Sequence, residues 1–264
     1  MISPTPNMIA EKVGPVGKLI FNKPAKHNAT STDMWEAIPV IIDEFEKDPA
    51  IRVVVVTGAG DQAFVSGADI SEFEKARSTP EQVAYYDKIG EIANARLSKC
   101  SKPTIARIRG YCIGGGLAVS LTCDIRIASD NTIFRMPAAR LGLGYSPSGV
   151  KRFMNVLGAA NTLDIFVSAR KFDAKEAQRM GFVSQVYPVN ELESKVAEYT
   201  KMIAENAPLT VAAAKFAVVQ GLKDAADRDM ATAVKMVQTC FASEDHKEGR
   251  KAFMEKRTPN FVGK

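Results

Sequence analysis

An apolar run, Thr104–Ile108, enters a turn holding Gly110, Gly114, Gly115 and Gly116 and leaves it in the helix-forming stretch Leu117–Thr122. Glycines at such a strand-to-helix corner let the backbone approach a neighbour or a ligand with no side chain in the way. The first N–H groups of the helix have no internal partner and point at whatever sits beyond them. A second corner, Ser66-Gly67-Ala68-Asp69-Ile70, has the same small-residue character. Folded side by side, the two corners would each offer one N–H to an oxygen that gains negative charge during a reaction. Either corner by itself is explained by a tight turn.

The remaining pattern predicts an α/β fold with parallel pairing. Met8–Val13 and Lys18–Phe21 flank Gly14-Pro15-Val16-Gly17, a hairpin signal. Ser31–Lys47 reads as a helix, with Trp35, Ile38, Ile42 and Phe45 at helical spacing and Pro39 inside it, which should kink it or remove a hydrogen bond. The valines of Arg52–Thr57 read as a buried strand, Pro80–Lys99 as a long amphipathic helix, Pro103–Ile108 as another strand, Gly115–Leu121 as a helix and Asp124–Ser129 as a returning strand. From about Val189 the pattern turns helical: Glu191–Glu205, Leu209–Leu222, Asp227–Phe241 and Glu244–Lys256. The expected organisation is a core over 1–190, with the binding pocket, and a helical region over 191–264. No sequence repeat or low-complexity segment is visible.

Composition narrows the function classes. The chain has 264 residues, enough for one large core with an appendage, and its 46% apolar and 25% charged fractions are ordinary for a soluble protein. The +5 net charge is spread along the sequence, which argues against nucleic acid as a partner and suits an anionic small molecule. Cys100, Cys112, Cys123 and Cys240 lack metal-ligand or paired spacing, three of them sit in apolar surroundings, and His27 and His246 are the only histidines. No apolar run nears the roughly 20 residues that span a bilayer, so no membrane partner is expected, and a reducing, cytoplasmic location is the default expectation.

The ordered set of motifs resembles the enoyl-CoA hydratase/isomerase (crotonase) superfamily. The resemblance rests on Asn22-Lys23-Pro24, Asn28-Ala29, Val53–Gly58, Phe64–Ile70, Lys102-Pro103, Gly110–Gly116, Cys123–Ala128, Phe253–Arg257 and Pro259-Asn260-Phe261. It implies a spiral of strand–strand–helix turns whose C-terminal helices pack on a neighbour in a trimer or a dimer of trimers. It implies an acyl-CoA substrate, with coenzyme A carried by the substrate and no separate cofactor or metal. The Ala68 and Gly115 N–H groups would hold the thioester oxygen as an enolate forms. Resembling hydratases carry two glutamates that shuttle a proton, and this sequence has Ala118 and Ala138 at those positions, which puts plain hydration in doubt. A non-catalytic CoA-binding or RNA-binding role is the rival from another class.

Tyr145, in Gly142-Leu143-Gly144-Tyr145-Ser146-Pro147, is the first candidate for a proton donor, by similarity to methylmalonyl-CoA decarboxylase; that branch has a histidine where this chain has Ala68. Leu143 falls on the far wall of the acyl pocket, and Gly114 and Ile70 border the two corners. Asp69 should bond nearby backbone N–H groups, and Glu72 is a candidate for the pocket mouth, against simple surface exposure. Ser146 before Pro147 suits a helix cap. Arg135 and Arg140 are candidates to clamp a second carboxylate, against surface or inter-subunit pairing. Lys26 matches the edge of the adenine pocket, and Phe253 and Lys256 match tail positions that reach CoA from a neighbouring subunit. Glu91, Asp87, Tyr85 and Tyr86 on the Pro80–Lys99 helix are groups that could turn toward the site.

Overall fold

The computed structural model describes residues 2–69, 71 and 78–264. Ile70 and Glu72, singled out above, lie outside the described residues.

β1 (Met8–Val13) and β2 (Val16–Phe21) form the expected hairpin, paired Val13 to Val16 across Gly14-Pro15, with Gly14 at φ 55°. A positive φ at the first loop position is the primed-turn geometry that matches strand twist. From there the chain adds strands in parallel. β3 (Val53–Gly58) pairs with β2, β5 (Thr104–Ile108) with β3, β7 (Ile125–Ser129) with β5, and β10 (Gln185–Tyr187) with β7, giving one sheet in the order β1-β2-β3-β5-β7-β10. A second sheet runs β4-β6-β8-β9, made of β4 (Ala63–Val65), β6 (Tyr111–Ile113), β8 (Ile133–Arg135) and β9 (Lys171–Asp173).

These two orders describe a spiral. β3 and β4 lead to α2 (Pro80–Ser98), β5 and β6 to α3 (Gly115–Thr122), and β7 and β8 to α4 (Pro147–Ser168). Each turn adds one strand to each sheet and one helix outside. The similarity between turns is therefore of topology, which explains why no repeat shows in the residues.

All six residues of β3 are buried, because both faces of the first sheet are covered. Val54 and Val56 join α1 (Thr32–Lys47) through Ile38, Ile41, Ile42 and Phe45. Val53 and Val55 face the other way, with Ile105 and Ile127, against Leu192 and Val196 of α6 (Leu192–Ala204). That places α6 on the sheet itself. α1 runs on through Pro39, while α4 is broken at Gly158, whose φ of 72° and ψ of 171° are not helical. The short α5 (Ala174–Arg179) precedes β10; α7 (Pro208–Gly221), α8 (Met230–Ala242) and α9 (Glu244–Glu255) close the chain. Among the described residues no single helix is long and apolar enough to cross a membrane. Cys100, Cys112 and Cys123 are buried thiols, as their apolar neighbours indicated.

Candidate active site

The two glycine corners fold against each other. A Cβ built on Gly115 would lie 4.0 Å from the Gly67 Cα, and one on Gly114 would lie 3.9 Å from it. Both corners end strands of the same sheet, β4 and β6, so parallel pairing of those strands brings them together. Gly67 at φ 104° and Gly114 at φ 53° make the turns in a region of backbone space that side chains disfavour.

Thr30 fixes the direction of the first corner. It forms an isolated parallel bridge with Ala68, donating its N–H to the Gly67 carbonyl at 2.7 Å and accepting the Asp69 N–H at 2.9 Å. In such a bridge the residue between the two bonds turns its own amide to the other side. The Ala68 N–H accordingly has no intramolecular partner among the described residues. The Gly115 N–H, first of α3, has none either, while the preceding Gly114 N–H is taken by the Arg135 carbonyl at 2.9 Å. The site thus offers two unengaged backbone donors on touching corners.

The walls are apolar at the two positions where a proton carrier was sought. Ala118 stands one turn into α3, its N–H on the Gly114 carbonyl at 3.2 Å. Ala138 is buried directly after Pro137, whose ring lies 3.7 Å from the Gly114 Cβ position. The Ala138 carbonyl accepts the Leu143 N–H at 3.0 Å, which ties the Gly142–Tyr145 turn to this wall. Leu143 itself is exposed. Tyr145 is partly buried, its ring edge-on to Phe166 and Phe153 at 5.2 and 6.2 Å between centroids. Its hydroxyl has no hydrogen-bond partner among the described residues, and burial pushes the phenol up to about 12, against a smaller opposing pull from Arg152. Ser146 caps α4 as expected, accepting the Gly149 N–H at 3.1 Å.

Asp69 is nearly buried and carries more than a turn. Its carboxylate accepts from Lys23 and Lys26, both at 2.9 Å, and from the Ser71 N–H and hydroxyl at 3.0 and 2.6 Å. Burial works to raise its pKa, and the Ser71 and lysine bonds outweigh it, holding the carboxyl well below the usual carboxylate range. Lys26 is therefore half-exposed but already held, by Asp69 and by the Ser71 hydroxyl at 2.7 Å. Asn28, fully buried at φ 55°, anchors this loop: its amide donates to the Ala59 and Ala63 carbonyls and accepts from the Lys23 N–H.

Other candidates sit elsewhere. Arg135 Nε donates to the Ala169 carbonyl at 2.8 Å, bracing the end of α4, and Arg140 is exposed. Glu91 is gripped by Arg152 at 2.6 and 2.7 Å, an exposed pair between α2 and α4. Tyr85 donates to Glu36, and Asp87 faces solvent. Tyr86 alone of that group turns inward, its hydroxyl receiving the Trp35 Nε1–H at 2.8 Å. Phe253 and Lys256 stand exposed at the end of α9, outside the spiral that carries the corners. Thr30 was missed in the sequence; its only signal there is its place directly after the Asn28-Ala29 motif.

The family model for enoyl-CoA hydratase/isomerase matches residues 11–264 of this chain. The chain belongs to the enoyl-CoA hydratase/isomerase family. It is 34% identical over 254 residues to a short-chain-enoyl-CoA hydratase of Clostridium acetobutylicum, covering 95% of each chain. It is 31% identical to a crotonyl-CoA hydratase of Syntrophomonas wolfei, covering 98% of each. Among solved structures, an enoyl-CoA hydratase/carnithine racemase from Magnetospirillum magneticum superposes with a TM-score of 0.93 at 30% identity, over 98% of this chain and 96% of that one. The crotonase spiral expected from the motifs is the fold this family member adopts.

Proposed function

We propose that this chain is an acyl-CoA enzyme whose chemistry passes through a thioester enolate, with the Ala68 and Gly115 N–H groups as the oxyanion hole. One observation carries the reading: two backbone donors without intramolecular partners among the described residues lie on corners so close that a Cβ built on Gly115 would come within 4.0 Å of the Gly67 Cα. Fixed dipoles aimed at a developing oxyanion need no rearrangement when the charge appears, and removing one such donor typically costs about 10²–10³ in rate. The names of the relatives supply the substrate class. In this reading Gly114 lets the thioester approach, Leu143 borders the acyl chain, and Lys26 and Asp69 stand where the CoA nucleotide passes. Phe253 and Lys256 complete the CoA site of a neighbouring subunit in a homotrimer or dimer of trimers. No separate cofactor enters; coenzyme A arrives with the substrate.

The fate of the enolate has a second reading, favoured by Ala118 and Ala138. Neither methyl group holds or moves a proton, so syn hydration has no donor at the two positions where a carboxylate was sought. Decarboxylation of a malonyl-type thioester needs no base. The C–C bond breaks, its electron pair becomes the enolate, carbon dioxide leaves, and the Tyr145 phenol gives its proton to the α-carbon before water restores it.

Crotonyl-CoA and methylmalonyl-CoA offered side by side separate these outcomes. Hydration of crotonyl-CoA at an ordinary enzymatic rate would return the chain to hydratase chemistry and sink the decarboxylase reading. Carbon dioxide release without hydration supports it. Tight CoA binding with no turnover across acyl classes would overturn the enzyme reading in favour of a binding role.

A further inference from the structure

Tyr145 stands just before Ser146, the cap of α4, and its ring folds back over the first turn of that helix. An apolar residue at this place ordinarily packs on the side chain at the fourth helical position. Here the ring lies on the third, Gly149: a Cβ built there would come within 2.9 Å of the Tyr145 Cε1 and 3.0 Å of its Cδ1. Any side chain at Gly149 would therefore push the ring out. The backbone gives no other reason for a glycine. Gly149 is not among the glycines with positive φ, and glycine inside a helix is otherwise disfavoured against alanine.

The far side of the ring is closed by two phenylalanines. Phe166 and Phe153 meet it edge-on, at 5.2 and 6.2 Å between centroids, and meet each other at 5.0 Å. In a straight helix those two phenylalanines would stand about 20 Å apart along the axis. The break at Gly158 falls between them and turns Phe166 back toward the start of α4.

We infer that Gly149 is a positioning residue for Tyr145: its missing side chain admits the phenol ring into a slot closed by Phe153 and Phe166, and so fixes where the hydroxyl is held. The slot is also what keeps the ring from water, the cause of the raised phenol. The charged groups at its edge are Arg152 and the Glu91 carboxylate paired to it, and Arg152 pulls the other way. A glycine that served only the helix cap would have no need to touch the Tyr145 ring.

The inference rests on Tyr145 as the proton donor, and two readouts separate its failure from the failure of that reading. The first needs no turnover. Full-length protein carrying 13C at the tyrosine Cζ is titrated by NMR, with the Tyr145 signal assigned by its loss in Tyr145→Phe. At about pH 10 the wild-type signal should still be that of the neutral phenol, and in Gly149→Ala it should be about half shifted, as for a solvated tyrosine. Phe166→Leu opens the slot from the other side, should act in the same direction, and decides alone if Gly149→Ala does not fold. A Tyr145 signal that titrates as in the wild type in the folded variants overturns the inference. The second readout is carbon dioxide release from methylmalonyl-CoA. Gly149→Ala is expected to lower kcat by up to the roughly 10²-fold lost with the phenol itself, and to cost nothing further in a Tyr145→Phe background. An equal loss in both backgrounds would mean general damage to α4 and overturns the inference. A wild type that releases no carbon dioxide would sink the decarboxylase reading alone, since the NMR titration still decides the slot.

Discussion

Gly116 presses its Cα against the Val65 carbonyl so closely that a methyl group there would lie 2.2 Å from the oxygen. Its neighbour Gly115 meets only ordinary contacts, none nearer than 3.8 Å. The glycine triplet therefore divides its work: Gly114 supplies a positive φ, Gly115 leaves open space, and Gly116 lets helix and strand touch. Gly116→Ala is expected to cost about 1–3 kcal/mol through overpacking against backbone, and Gly115→Ala to leave stability unchanged or raise it by about 0.5 kcal/mol. Denaturant unfolding of both variants checks this. Equal losses in the two would show that the triplet acts as a unit.

Asp69 makes stability depend on acid. Its folded pKa lies below its unfolded value of about 3.9, so its contribution is fully present above that pH and is lost as pH falls through the folded value. Asp69→Asn is expected to lose about 2 kcal/mol at neutral pH, the worth of hydrogen bonds to a charged group. The gap between variant and wild type should stay constant from pH 7 to about 5 and narrow below about 4. Urea midpoints across that range measure it; a gap independent of pH down to about 2 would assign the loss to packing instead of charge.

The elements of this chain were legible where one residue decides one element. Pro80 and Ser146 mark helix starts, the valines of β3 a doubly covered strand, and Gly110–Gly116 a strand-to-helix corner. The three-residue strands β4, β6, β8, β9 and β10 were not, because too few residues alternate to show a period. The corners themselves could be named, but their contact could not, since it is made by pairing between strands nearly fifty residues apart. Thr30 was invisible for a related reason: its backbone bonds to Gly67 and Asp69, and its hydroxyl bond to the same Gly67 carbonyl, exist only once the two loops meet. The partnership of Lys26 with Asp69 needed both loops in place, and spacing alone had no access to it.

Tyr145 should keep its proton throughout the working range, since burial holds the phenol at about 12. If it supplies the proton that quenches the enolate, no alkaline fall in kcat from this group should appear below about pH 10. Tyr145→Phe is expected to lower kcat by about 10²-fold, the ordinary worth of a positioned acid. Thermal stability should hardly change, because the ring contacts with Phe153 and Phe166 remain. Full activity in the variant would remove Tyr145 from the chemistry; a falling limb near pH 8 would point to another group.

Met230, Val234, Val237 and Phe241 recur at spacings of four, three and four along α8 and stay exposed, Phe241 by 68%. Phe253 and Met254 of the adjoining α9 are exposed by more than 80% each. A continuous apolar stripe at helical spacing is a face that wants a partner. Under the proposed trimer, that partner is another copy of this chain. Phe241→Lys places a charge at the end of the stripe, where α8 meets α9, and should convert the assembly to monomer at micromolar concentration, as read by sedimentation. The same variant is expected to weaken CoA binding, because Phe253 and Lys256 would no longer be delivered to a neighbour. Unchanged mass together with unchanged binding would show that α8 faces solvent in the working protein.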